Sequence, residues 1–253
     1  MLVIRESQLS TLGSVQVREF ETQLVRHFAR FYPRECRLAG NDQVQQLVAM
    51  GLSRARQHGY VVQREASLYV NLMIILGQDF DRDPQIPWAA QQIDDTSIPG
   101  PFRRIRKVHQ SAVRFLEQTV GDDNQHIARA LLRVRSFRLS DSPDRSADGF
   151  DGQLATLLAR LYPQKFAVQR EPAMRGLITH AIESARTYGI VGGQGITLFA
   201  GLMFMLGSGF TSDPMYPWAG RVLGDERLRD EASRVEALHG EAIAYLVASL
   251  KPS

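Results

Sequence analysis

Apolar residues recur along this chain at spacings of three and four, and the sequence carries no convincing alternating run of strands. Val17, Phe20, Leu24, Val25, Phe28 and Phe31 fall on one helical face, so a helix is predicted from Val15. Tyr32-Pro33 reads as its end, because the residue before proline is pushed out of the α region. Asn41-Asp42 reads as the cap of a second helix carrying Val44, Leu47, Val48, Leu52 and Ala55 inward, with Gly59 as its stop. A third helix, from about Arg64 to Leu76, is apolar nearly all round and reads as the surrounded element of a bundle. A short helix opens at Pro87 and ends near Ile93, and a fourth long helix runs through Ile105, Val108, Ala112, Phe115 and Leu116. Asp122-Asp123 would cap a further helix over 124–137, and the polar, turn-rich stretch 138–152 reads as a linker. Residues 1–14, with Leu2 and Ile4 among small polar residues, read as a brief extended arm or the lead-in to the first helix.

The pattern then repeats. Leu76-Gly77-Gln78-Asp79-Phe80-Asp81-Arg82-Asp83-Pro84-Gln85-Ile86-Pro87-Trp88-Ala89 returns as Leu206-Gly207-Ser208-Gly209-Phe210-Thr211-Ser212-Asp213-Pro214-Met215-Tyr216-Pro217-Trp218-Ala219. Both read L-G-x-x-F-x-x-D-P-x-x-P-W-A, every matched residue is 130 positions from its counterpart, and the offset holds without a gap from about residue 23 to 117. Second-copy helices are expected near 151–161, 171–188, 194–206, 217–223 and 226–250. The predicted fold is all-α: two tandem, pseudo-symmetric helical bundles of four to five helices each. The first repeat is assigned to 1–120, a bridging helix and linker to 121–152, and the second repeat to 153–253.

Composition narrows the class. Across 253 residues, 44% hydrophobic and 23% charged are values of an ordinary globular protein, and two units of about a hundred residues can each bury a small core. The opening Met-Leu-Val-Ile-Arg lacks a signal peptide's apolar run, and no apolar stretch reaches the ~18 residues of a spanning helix. The single cysteine, Cys36, cannot form an internal disulfide, and its counterpart Phe166 marks it as a small buried hydrophobe. A cytoplasmic location without membrane association is expected. Net charge is +3, but residues 100–140 alone hold a balance of +6. Arg103, Arg104, Arg106, Lys107, Arg129 and Arg133 are therefore the candidate partner-binding residues, weighed against a plain solvated helix face. Nucleic-acid binding would call for a wider basic surface interleaved with aromatics and is not expected.

Candidate chemistry is thin. Asp79, Asp81 and Asp83 mimic the start of a calcium loop, but Pro84 stands where glycine is needed and Ala90 where a bidentate Glu belongs. The motif reads as structural: Asp83 and Asp213 holding turns begun by Pro84 and Pro214, Pro87 and Pro217 opening short helices, Gly77 and Gly207 closing long ones. Phe80 and Phe210 recur with Trp88 and Trp218, which read as core fillers with their indole N–H on a backbone carbonyl. His109 and His239 share a position but lack partners at metal-ligand spacing, and the His180–Glu183 pair has no counterpart in the first copy. Gly189 to Gly195 lacks the lysine and preceding strand of a phosphate loop. No catalytic residue, metal or cofactor is assigned, and the chain is not expected to be an enzyme.

The opening Met-Leu-Val-Ile-Arg, the stretch Phe20 to Pro33, Gly51 to Tyr60, and Leu72 to Pro84 with Pro87-Trp88-Ala89 resemble a large bacterial family encoded beside spike, spike-tip and effector genes of the type VI secretion system. The members it resembles carry one unit, whereas this chain carries two. The resemblance implies a non-enzymatic adaptor or co-chaperone that helps load an effector onto the secretion spike. Its implied partners are a secreted effector, a loading chaperone or a spike-tip protein. An immunity protein against a cognate toxin is the alternative, and a small-ligand protein or enzyme using the Asp-Pro turns as a pocket rim is a third.

Overall fold

A computed structural model describes residues 6–146 and 148–250; among them every regular element is helical. The first copy forms α1 (Glu6–Phe31), α2 (Pro33–Ala39), α3 (Asn41–Gln57), α4 (Gln63–Leu76), α5 (Pro87–Ile93) and α6 (Pro101–Val120). A 3-10 turn leads into α7 (Gln125–Ser136), and the second copy follows as α8 (Phe150–Leu161), α9 (Pro163–Thr187), α10 (Gly193–Leu206), α11 (Pro217–Leu223) and α12 (Glu231–Leu250). The boundaries of α4, α5 and α6 recur at α10, α11 and α12 with the 130-residue offset of the sequence.

Two departures from the predicted elements share a cause. Proline at the first helical position starts a helix as readily as it ends the one before, since its missing N–H is unpaired there anyway. Tyr32-Pro33 therefore separates α1 from α2, and Tyr162-Pro163 separates α8 from α9. Gly40, not Asn41, caps α3, and at φ 98°, ψ 153° it turns the chain between α2 and α3. In the second copy the helix runs through the equivalent Arg170, which holds φ 62°, ψ 159° at a break in α9. α1 also begins at Glu6, earlier than the predicted Val15; Leu2 and Ile4 lie outside the described residues.

The core falls into two clusters. One gathers Phe28, Leu47, Tyr69, Leu72, Met73, Phe80, Ile93 and Ile105, the other Leu154, Leu158, Leu177, Phe199, Met203, Phe204, Phe210 and Leu238. α4 and α10 run through their centres, as all-round apolar helices should. Several residues of the stretch 121–152 pack into a core. Ala130 is fully buried in the second cluster, Ile127, Val134, Phe137 and Leu139 pack on it, and Phe150 already begins α8 as a core residue. The copies interlock as well: Met215 belongs to the first cluster, α6 packs on α9, and α12 packs on α2. No described helix is long and apolar enough to cross a membrane.

Candidate functional site

The repeated motif lies at the seam between the copies. α4 and α10 end on Gly77 (φ 102°, ψ 154°) and Gly207 (φ 101°, ψ 156°), a conformation that L side chains rarely adopt. The two glycines face each other so closely that a Cβ on Gly77 would stand 3.1 Å from the Leu206 carbonyl oxygen, and one on Gly207 would stand 3.1 Å from that of Leu76. Glycine is needed here twice over, for its φ and for the approach of two backbones.

Each aspartate then bridges both copies. Asp83 Oδ1 accepts from its own turn at Gln85 N–H (2.8 Å), while Oδ2 accepts from Ser208 N–H across the seam (2.8 Å). Asp213 does the same with Met215 N–H (2.9 Å) and, across the seam, Gln78 N–H (3.0 Å). The four amides are themselves equivalent under the 130-residue offset, so the two sets of bonds are reciprocal. Gln78 adds bonds to the Gly209 carbonyl (2.9 Å) and Ser212 Oγ (2.7 Å), and Gln85 donates to the Met203 carbonyl (2.8 Å). At the outer ends of the seam Tyr162 O–H donates to the Thr119 carbonyl (2.8 Å) and Arg34 to that of Ser249 (2.7 Å).

Electrostatics follow from burial. Both aspartates are 3% exposed. Desolvation pushes Asp213 up to about 6 against the pull of its two backbone bonds, and raises Asp83 likewise. Lys165, whose amine donates to the Phe204 carbonyl (2.5 Å), is pulled down to about 8 by burial, with the Asp83 charge opposing. These carboxylates are tied into the fold by backbone bonds, while Gln85, Pro87 and Trp88 of the first turn line a surface pocket.

The other motif residues divide. Phe80, Phe210 and Trp218 are buried, whereas Trp88 is only half-buried, against Phe115. The indole N–H of Trp218 does not reach a carbonyl as expected. Among the described residues it has no hydrogen-bond partner, as Thr197 Oγ1 and His239 Nε2 have none, and all three residues line an apolar cavity of about 40 Å³. Asp79 pairs with Arg54 (2.8 Å) and Arg82 (3.0 Å), Asp81 with His58, Tyr69 and, at 4.0 Å, the same Arg82, and Asp83 turns to the seam. The basic candidates lie on two helices. Arg103, Arg106 and Lys107 are exposed and Arg104 is half-buried near the start of α6, while Arg129 and Arg133 are exposed on α7. Lys107 already stands 3.7 Å from Asp95.

One cluster was not anticipated from sequence. His58 sits between Asp94 Oδ1 (2.8 Å from Nδ1) and Asp81 Oδ2 (3.1 Å from Nε2), and Tyr69 O–H donates to the same Asp81 oxygen (2.8 Å). The Asp81 bond raises the histidine pKa, burial opposes it, and Asp94 adds to the rise. In the second copy the same places hold Tyr188, Thr211, Phe199 and Gly224, with Tyr188 and Phe199 rings 5.9 Å apart. The signal in the sequence was the change of polarity at matched positions. Comparisons with protein-family models, curated proteins and solved structures find no match for this chain.

Proposed function

We propose that this chain is an intramolecular pair of equivalent, pseudo-symmetric helical units, mated through the L-G-x-x-F-x-x-D-P motif, and that it acts as a non-enzymatic protein-binding accessory. The observation that carries this reading is the reciprocal use of Asp83 and Asp213. The most distinctive residues of the repeat mate the units, in bonds that backbone amides donate to buried carboxylates. Their chemistry is thereby committed to architecture, and what remains for function is the outer surface of the pair. Two units fixed at one angle present two related faces to a partner without the entropy loss of assembling them.

The family resemblance names the setting: an adaptor or co-chaperone of the type VI secretion system that helps load an effector onto the spike, working in the cytoplasm. Capture of partners by the tagged chain in its host, read by mass spectrometry, tests this. Recovery of an effector with a loading chaperone or spike-tip protein is expected. Recovery of a lone toxin held inactive would replace the adaptor with an immunity protein, and recovery of no protein would overturn both.

A further inference from the structure

The internal repeat contains a template for its own complex. In the second copy part of the groove between α10 and α12 is covered by α7 and the residues after it: Val134 and Phe137 share a small cavity of about 40 Å³ with Thr197, Leu198, Gly201 and His239. Beyond it, between Leu139, Gly193 and Val235, the second-copy groove stays open in a pocket of about 800 Å³. The counterparts of those four groove residues in the first copy are Ser67, Leu68, Asn71 and His109. They line an open groove of about 660 Å³ between α1, α4 and α6. Leu24 and Phe28 form its buried floor, while Phe20, Leu68 and Phe102 remain half-buried, where second-copy Phe150 and Leu198 are covered to 7% and 8% exposure.

The charge on the groove has also changed sign. The second-copy groove carries Glu231 and Glu236 beside Arg138, which ends a segment that also bears Arg129, Arg133 and Arg135. At the place of Glu236 the first copy has Arg106, and at that of Gln194 it has Arg64, whose guanidinium lies 3.7 Å over the Phe102 ring. His27 and His109 join them, and among the described residues no carboxylate lines the groove. A basic helix such as α7 is therefore disfavoured, and an acidic one is favoured by complementarity.

We propose that the groove between α1, α4 and α6 takes an amphipathic helix of the partner protein, acidic on its flanks. Its apolar positions are spaced like Ile127, Ala130, Val134 and Phe137. This names the surface and the partner chemistry for the accessory reading above, and rests on it for the partner's identity only. The probe is a fluorescein-labelled peptide of residues 125–138 carrying Arg129→Glu, Arg133→Glu, Arg135→Glu and Arg138→Glu, compared by anisotropy with the unaltered peptide on the full chain. The acidic peptide is expected to bind at least about tenfold more tightly, and Arg64→Glu with Arg106→Glu, both at exposed positions, to reverse that preference. Equal binding of the two peptides, indifference to the arginine reversals, or no saturation by about 1 mM would overturn the proposal. The reversed chain also separates the two claims. If it still captures the host partner as the native chain does, the groove is wrong and the accessory function stands. If the acidic peptide binds but the native chain captures no protein, the function is wrong and the groove stands.

Discussion

Arg170 is the clearest case of a single residue held against its preference. Its counterpart Gly40 occupies the same region of backbone space freely, whereas an arginine at φ 62°, ψ 159° is strained by about 1–3 kcal/mol. The side chain is exposed, so little packing is lost with it. Arg170→Gly is expected to stabilise the chain by about 1 kcal/mol in urea unfolding, after the extra flexibility glycine gives the unfolded chain. Destabilisation would show that the guanidinium holds something that this backbone strain serves. Asp213 gives a second residue-level expectation. Folded, it titrates near 6, above its unfolded value near 3.9. Its contribution to stability is thus fully present below about pH 4 and lost as pH rises through 6. Asp83 shifts the same way. Melting temperatures across this range should therefore change less with pH in Asp213→Asn than in the native chain; an unchanged pH dependence would remove Asp213 as its source.

Helices were the legible part of this protein, and α7 shows where legibility stopped. Threefold and fourfold apolar spacing places α4, α5 and α6 closely, and the repeat supplies α10 to α12 a second time. What spacing cannot give is the partner of an apolar face. Ile127, Ala130 and Val134 announce a buried stripe, yet whether it packs on the first copy, the second or neither depends on tertiary contacts, and the turn-rich 138–152 stretch disguised Leu139 and Phe150 as linker. The same limit hid α2, because Tyr32-Pro33 signals a stop and a start in the same two residues. The packing is testable. Ala130→Asp buries a carboxylate in a fully enclosed place and is expected to cost more than about 3 kcal/mol or prevent folding, whereas Leu132→Ala, at a 48% exposed position of the same helix, should stay within about 0.5 kcal/mol. Equal tolerance of both would mean that α7 does not pack on this core.

At the scale of the whole molecule, the motif that stood out first in the sequence is the place where the two copies meet. Repetition made Asp83 and Asp213 conspicuous, and proline beside them made a turn-holding role readable. The half of each carboxylate that reaches across the seam had no local signal, because Gln78 and Asp213 are far apart in the chain and nothing in either stretch names the other. The His58 cluster showed in the sequence only as a change of polarity against its counterparts Tyr188, Thr211, Phe199 and Gly224. The seam is the central claim, and amide hydrogen exchange tests it most directly. The Gln78 and Ser208 amides are expected to exchange slowly in the native chain, since their hydrogen bonds are buried. Asp213→Ala should speed Gln78, and Asp83→Ala should speed Ser208, each by at least about tenfold relative to core amides such as Leu47 and Leu177. Acceleration confined to the mutated copy, at Met215 or Gln85 alone, would contradict the account.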